Sequence, residues 1–164
     1  MLGRSLELLC QGLRVLLGFL MAALAIPVGM QVLARYTGII PVYLWTEELA
    51  TFIFVWVVMI GSMVAVWEGT HFDVVVTRDA RSPLGILIQK GIVHILVGVF
   101  AILFAWYGIE YAQIGMIQSS VMMQVNLLWT YITVPIAGFV WTVFTAYRLT
   151  EAFQTYKASK RATQ

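Results

Sequence analysis

Four long apolar runs dominate the sequence: Val15–Ala34, Leu49–Trp67, Ile86–Ile109 and Leu127–Tyr147. Each is close to the roughly 17–25 residues that an α-helix needs to cross about 30 Å of bilayer hydrocarbon. A membrane β-barrel would instead alternate apolar and polar residues in short segments, and these runs are unbroken. Hydrophobic residues make up 61% of the chain and charged residues 11%, where a soluble domain carries roughly 25% charged residues. This reads as an all-α polytopic membrane protein, with residues 1–164 forming a single domain of four transmembrane helices near 15–34, 49–67, 86–118 and 127–147. The balance excludes a disordered chain, a nucleic-acid binder and a soluble two-domain enzyme. A lone cysteine, Cys10, excludes a disulfide framework, a cysteine zinc site and a dithiol redox pair.

Basic residues set the expected orientation. Arg4, Arg14, Arg78, Arg81, Lys90, Arg148, Lys157, Lys160 and Arg161 flank one side of the spans, and Arg35 alone flanks the other. The positive-inside bias therefore puts both termini and the 68–85 connection in the cytoplasm, with 35–48 and 110–126 facing outward. Leu2, Leu6, Leu9 and Leu13 recur at helical spacing opposite Arg4, Glu7, Gln11 and Arg14. That pattern predicts an N-terminal amphipathic helix over 2–13, lying at the cytoplasmic interface. A cleaved signal peptide ending near Ala23-Leu24-Ala25 is the competing reading. The apolar stretch continues to Ala34, which favours a full span. Pro27 and Pro135 fall inside the first and fourth runs and predict kinks there.

Helices in lipid associate where small residues let backbones approach. Gly18, Ala22, Ala25 and Gly29 form such a stripe in the first run, and Gly61 and Ala65 form a small-xxx-small pair in the second. The third run carries Gly91, His94, Gly98, Ala101, Ala105 and Gly108, and Ala112 and Gly115 continue the period beyond the apolar stretch. This helix is therefore expected to run past Ile109 towards Gln118, about 33 residues and roughly 50 Å long. Trp45, Trp56 and Trp67 are eleven residues apart, so they share one helix face. The outer two suit the aromatic belts, while Trp56 near the midplane faces either lipid or another protein.

The densest polar cluster is Trp45-Thr46-Glu47-Glu48. Thr46 is a candidate N-cap, and carboxylates in a first turn suit the helix dipole. Arg35, on the same side, is positioned to pair with them and close the outer hairpin. The cluster is thus either capping with a hairpin salt bridge, or a docking surface for another subunit. It is no acid/base pair, because nothing in the pattern buries one carboxylate to raise its pKa. His94 sits on the small-residue stripe, where a cross-helix hydrogen bond explains it better than a proton relay or haem ligand. The other histidine, His71, lies in a connection. No catalytic constellation, phosphate loop or metal-ligand spacing is present, nor a pair of broken helices of the transporter kind. No catalytic residue, cofactor or metal is assigned, and the chain reads as a supporting subunit.

Arg35-Tyr36, then Trp45-Thr46-Glu47-Glu48-Leu49-Ala50, Phe54, Trp56, Gly61, Ala65 and His71 resemble the small membrane subunit of tripartite ATP-independent periplasmic (TRAP) transporters, the DctQ family. Thr51 and Glu68 stand where that family often has basic residues. The resemblance implies an accessory subunit in a bacterial inner membrane. Its implied partners are membrane lipid, a large TRAP membrane subunit on a separate chain and a periplasmic solute-binding protein. The large subunit would move an organic acid by a sodium-driven elevator mechanism. The small subunit would brace its scaffold and help form the surface on which the binding protein docks. On this reading Arg35, Trp45, Glu47, Glu48 and Trp56 are expected at the subunit or docking interface. Gly18, Ala22, Gly61, Ala65, Gly91, His94 and Gly98 would pack helices, and Trp67 and His71 would anchor the chain at the interface. The competing functions are a haem- or quinone-linked anchor of a respiratory enzyme and a free-standing small exporter.

Overall fold

A backbone surrounded by apolar side chains and lipid has only its own carbonyls to bond, and the chain is accordingly helical. The computed structural model describes residues 2–38, 41, 43–69 and 83–162. The elements are α1 (Leu2–Thr37), α2 (Trp45–Glu68), α3 (Pro83–Met116), the single turn α4 (Leu128–Tyr131) and α5 (Thr133–Ala162). Four segments are long and apolar enough to cross a membrane: Gly3–Thr37, Trp45–Glu68, Gly91–Met116 and Leu128–Lys157. Among the described residues the only extended pairing is an isolated antiparallel bridge between Ser119 and Asn126.

Two boundaries differ from the sequence expectation. The amphipathic stretch 2–13 is not a separate interfacial helix but the first third of α1, which is continuous for 36 residues, about 54 Å. Nothing between Gly12 and Val15 breaks the backbone, and contacts hold the stretch against the other helices. Arg14 Nη2 lies 2.6 Å from Glu68 Oε1, Cys10 is buried, and Gly3 faces the Tyr147 hydroxyl so closely that a Cβ there would clash. The fourth span starts where expected, at Leu128, but stays helical well past Tyr147, to Ala162. The one interruption among these described residues is at Ile132, which keeps helical dihedrals (φ −64°, ψ −20°) and donates its N–H to Leu128 O at 2.9 Å. Pro135 lies just beyond it, as a proline inside the fourth run led one to expect. It has no N–H to give the Tyr131 carbonyl four residues back, so one helical hydrogen bond is missing there. Helix α1, by contrast, stays helical through Pro27.

Helix α3 is unbroken through Ile109–Gly115 and ends at Met116. Its small-residue stripe lies antiparallel against α5 in a constant register. A Cβ built at Gly108 would approach Pro135 N to 2.8 Å, and one at Gly115 would approach Leu128 N to 3.0 Å. Across the interface, a Cβ at Gly138 would approach Ala105 N to 2.5 Å. Backbones touch here because no side chain stands between them. Aromatic rings fill the flanks, with Phe104 against Trp141 (centroids 4.9 Å) and Tyr111 stacked on Tyr131 (4.1 Å).

Helix α2 packs on the other side of α5, and α1 packs on the far side of α2, giving the spatial order α1–α2–α5–α3. Helix α5 thus sits between α2 and α3, and the start of α1 also reaches it where Gly3 meets Tyr147. Ala101, Ala137, Phe144 and Thr133 are fully enclosed, all at the contacts of α5 or on its face. Where α2 ends, Trp67 packs on Phe144 and Tyr147 (4.9 and 5.7 Å). The Arg148 guanidinium lies 5.1 Å above the Trp67 ring and donates to its carbonyl oxygen at 2.5 Å. Replacing Arg148 by alanine is expected to cost about 2 kcal/mol, from one charged hydrogen bond and a cation–π contact. The Arg14–Glu68 pair is half-exposed on both sides, so Arg14→Ala should cost less than about 1 kcal/mol. Thermal melts of the two variants in detergent distinguish these values.

Candidate functional site

The start of α2 organises the end of the molecule opposite the termini. Leu44 already has helical dihedrals (φ −61°, ψ −30°) and makes no side-chain cap. Thr46 is therefore inside the helix and is not the N-cap its sequence position suggested. It is 2% exposed, and its hydroxyl donates back to the Tyr43 carbonyl at 2.7 Å. A tight turn, with Thr46 N–H on Tyr43 O (3.1 Å) and Glu47 N–H on Leu44 O (3.2 Å), does the work expected of the cap.

One residue further, Glu48 projects towards the connection between α3 and α4, residues 117–127. Its carboxylate accepts four hydrogen bonds from three consecutive backbone N–H groups. Val121 N bonds Oε1 at 3.0 Å, Met122 N bonds Oε1 and Oε2 at 3.0 and 3.1 Å, and Met123 N bonds Oε2 at 2.8 Å. Successive N–H groups converging in this way form an anion-binding concavity, and here the anion is a side chain of the same chain. The connection is itself a short hairpin. Ser120 N–H donates to Val125 O (2.8 Å), Leu127 N–H donates to Gln118 O (3.0 Å), and Gln124 takes φ +56° at the reversal. Asn126 locks its base, donating to the last carbonyl of α3 (Met116 O, 2.9 Å) and accepting from Leu128 N–H (2.8 Å). The hairpin presents apolar side chains outward: Ile117 is 86% exposed and Val121 75%. Such a patch on a fixed loop suits contact with lipid or protein.

The expected ion pair between Arg35 and the acidic pair does not form among the described residues. Glu48 is committed to the hairpin amides, while Arg35 and Glu47 instead line a cleft of about 330 Å³ between the end of α1 and the start of α2. Trp45 is 41% exposed beside Tyr43, with ring centroids 6.2 Å apart. Trp56 is half-buried, and its indole N–H donates to the Trp129 carbonyl at 3.1 Å, so its polar edge is used within the chain. The structure thus gathers Arg35, Trp45, Glu47 and Glu48 at one end and sets Trp56 on the α2–α4 contact.

Of the residues expected to pack helices, Gly61 receives Leu17 of α1, Gly98 meets Thr145, and Ala65 and His94 are half-buried. Gly18 and Gly91 face open space, and Ala22 is exposed. The α1 stripe therefore packs on nothing in this chain. Helix α1 meets α2 instead through Leu17, which rests where Gly61 leaves room. Trp67 anchors α2 to α5, and His71 lies outside the described residues. Sequence reasoning missed the Val121–Met123 amides, Asn126 and Arg148. Only the Asn126-Leu127-Leu128 sequence carried a local signal, an Asx turn ahead of a helix.

A family model described as "Tripartite ATP-independent periplasmic transporters, DctQ component" matches residues 24–155. No curated protein matches the chain. The matched span begins inside α1 and takes in α2, α3, α4 and most of α5, including the Glu48 hairpin and the cleft beside Arg35. The chain therefore belongs to the DctQ family, the small membrane component of TRAP transporters.

Proposed function

We propose that this chain is a non-catalytic brace. It widens and steadies the scaffold of a separate large permease subunit in a bacterial inner membrane. It also contributes its Glu48 end to the surface where a periplasmic solute-binding protein docks. On this reading both termini are cytoplasmic, the large subunit does the sodium-driven transport, and the cargo is an organic acid. The observation that carries it is the contact order α1–α2–α5–α3, in which α1 and α3 each pack mainly on one long helix. Outer helices packed in this way leave broad apolar faces for the helices of another subunit. Helix α1 supports the same view, with Val15, Phe19 and Ile26 each at least 66% exposed beside its unfilled small-residue stripe.

The test is uptake of an organic acid by membranes containing this chain, its large subunit and its binding protein. Joint replacement of Glu47 and Glu48 by alanine should lower uptake severalfold while the chain still inserts and co-purifies with the large subunit. Liposomes holding this chain alone should accumulate no solute. Solute uptake by such liposomes, or unchanged uptake by the double variant, overturns the proposal.

A further inference from the structure

The cleft between α1 and α2 combines features that no contact among the described residues accounts for. Met30, Ala34 and Arg35 line it from α1, and Pro41, Tyr43, Thr46 and Glu47 line it from the connection and the start of α2. Its volume, about 330 Å³, is at the lower end of the range for small-molecule sites. Gln31 also lines it, and the Gln31 amide nitrogen is buried without a hydrogen-bond partner among the described residues. A buried donor left unmatched is costly, so a nitrogen in that state beside a cavity marks a place for an acceptor. Arg35 and Glu47 line the same space, and neither forms an ion pair among the described residues. Two opposite charges that do not neutralise each other are both available to a ligand carrying the complementary pair.

The geometry points to a binding site for a phosphoethanolamine group, a phosphate diester joined by two carbons to a primary ammonium. Arg35 and the Gln31 amide would hold the phosphate oxygens, since a guanidinium fork and an N–H donor both match them. Glu47 would take the ammonium. A primary ammonium has N–H bonds to give a carboxylate and a quaternary one has none, so the site discriminates ethanolamine from choline. A ligand with phosphate but no ammonium would leave Glu47 repelling it. The cleft also lies at the right depth for a lipid headgroup. It joins the last turns of one span to the first turn of the next, beside Trp45, a residue type enriched at the membrane–water boundary. Met30 and Ala34 supply an apolar wall along which the glycerol end of a lipid can descend. The same chemistry exists in a soluble diester, glycerophosphoethanolamine, and the experiment separates the two sources.

The full chain is purified in mild detergent and offered equal amounts of phosphatidylethanolamine, phosphatidylcholine and phosphatidylglycerol, and the retained lipid is read by native mass spectrometry. The wild-type chain should keep phosphatidylethanolamine about tenfold over either competitor. Glu47→Gln should bring the ethanolamine-to-choline ratio near one while phospholipid is still retained. Arg35→Gln should lower retention of all three, and Gln31→Leu should lower it less. Circular dichroism melts of each variant separate loss of the site from loss of the fold. Displacement of the bound lipid by millimolar glycerophosphoethanolamine assigns a headgroup site open to soluble ligand, and failure to displace it assigns the lipid itself. Equal retention of the three lipids, strongest retention of phosphatidylglycerol, or unchanged selectivity in both Arg35→Gln and Glu47→Gln overturns the inference. A cross-link from residue 31 to a protein partner, rather than to lipid, also overturns it.

Discussion

Alanine at Gly138 should lower the thermal stability of the chain by about 3 kcal/mol, at the upper end of the usual cost of overpacking. A Cβ at this position would lie 2.5 Å from Ala105 N, 2.7 Å from its Cα and 2.9 Å from its Cβ. The obstructing atoms are mostly backbone, so no rotamer change on α3 relieves the clash and the two helices must move apart. That movement is not local. The register that joins Ala105 to Gly138 also joins Gly108 to Pro135 and Gly115 to Leu128. Separating the helices at one level opens the other contacts and their van der Waals gain, which in lipid is much of what holds helices together. Gly138→Leu should prevent the pair from assembling. The controls are Gly18→Ala and Gly91→Ala, where a Cβ meets nothing within 4 Å. Both should stay within about 0.5 kcal/mol of the parent chain. Melts followed by intrinsic tryptophan fluorescence in detergent decide the matter, and a Gly138→Ala chain that melts with the parent would refute the close packing of α3 on α5.

These contrasts also show which parts of the architecture are written locally in the chain. The stripe from Gly98 to Gly115 continues at spacings of three and four beyond the apolar run, so both the length of α3 and its packing face are legible from short-range pattern. The stripe Gly18–Gly29 has the same spacing but faces open space. A small-residue pattern names a face without naming what covers it. The interruption before α5 falls where Pro135 withdraws a backbone donor from Tyr131, as its place in the sequence indicated. A proline in an apolar run is compatible with a kink or with a helix start. The chain is helical on both sides of the interruption, and only the packing of Gly108 on Pro135 joins residues far apart in sequence. Thr46 misled because cap preference presumes that the preceding residue is non-helical, whereas Leu44 is already helical. Arg35 and Glu47 line one cleft, as their positions suggested, but form no ion pair among the described residues.

Glu48 is the residue whose role was least visible in sequence, because its partners lie 73–75 positions away, and its removal gives the second large expected effect. Replacement by alanine leaves the Val121, Met122 and Met123 amides without their acceptor. Hydrogen bonds to a charged group contribute about 1.5–3 kcal/mol each when sheltered. These amides are largely solvent-accessible, so water recovers much of that. The expected result is local: amide hydrogen exchange at these three positions should accelerate about 10–100-fold, corresponding to roughly 1.4–2.7 kcal/mol of lost protection. Exchange in the interiors of α3 and α5 should not change. Glu48→Gln is more discriminating. Val121 bonds only Oε1 and Met123 only Oε2, and a carboxamide keeps one acceptor oxygen. One of these two amides should therefore exchange quickly while Met122, which reaches both oxygens, stays partly protected. Glu47→Gln should leave all three unchanged, because its side chain faces the cleft. Unaltered exchange in Glu48→Ala would show that the hairpin holds its shape through Asn126 and the Ser119–Asn126 bridge alone. Read alongside uptake, the same variants separate two routes to function. A loss confined to Glu48→Ala assigns the fixed hairpin with its exposed Ile117 and Val121, whereas an equal loss in Glu47→Ala assigns the cleft beside Arg35.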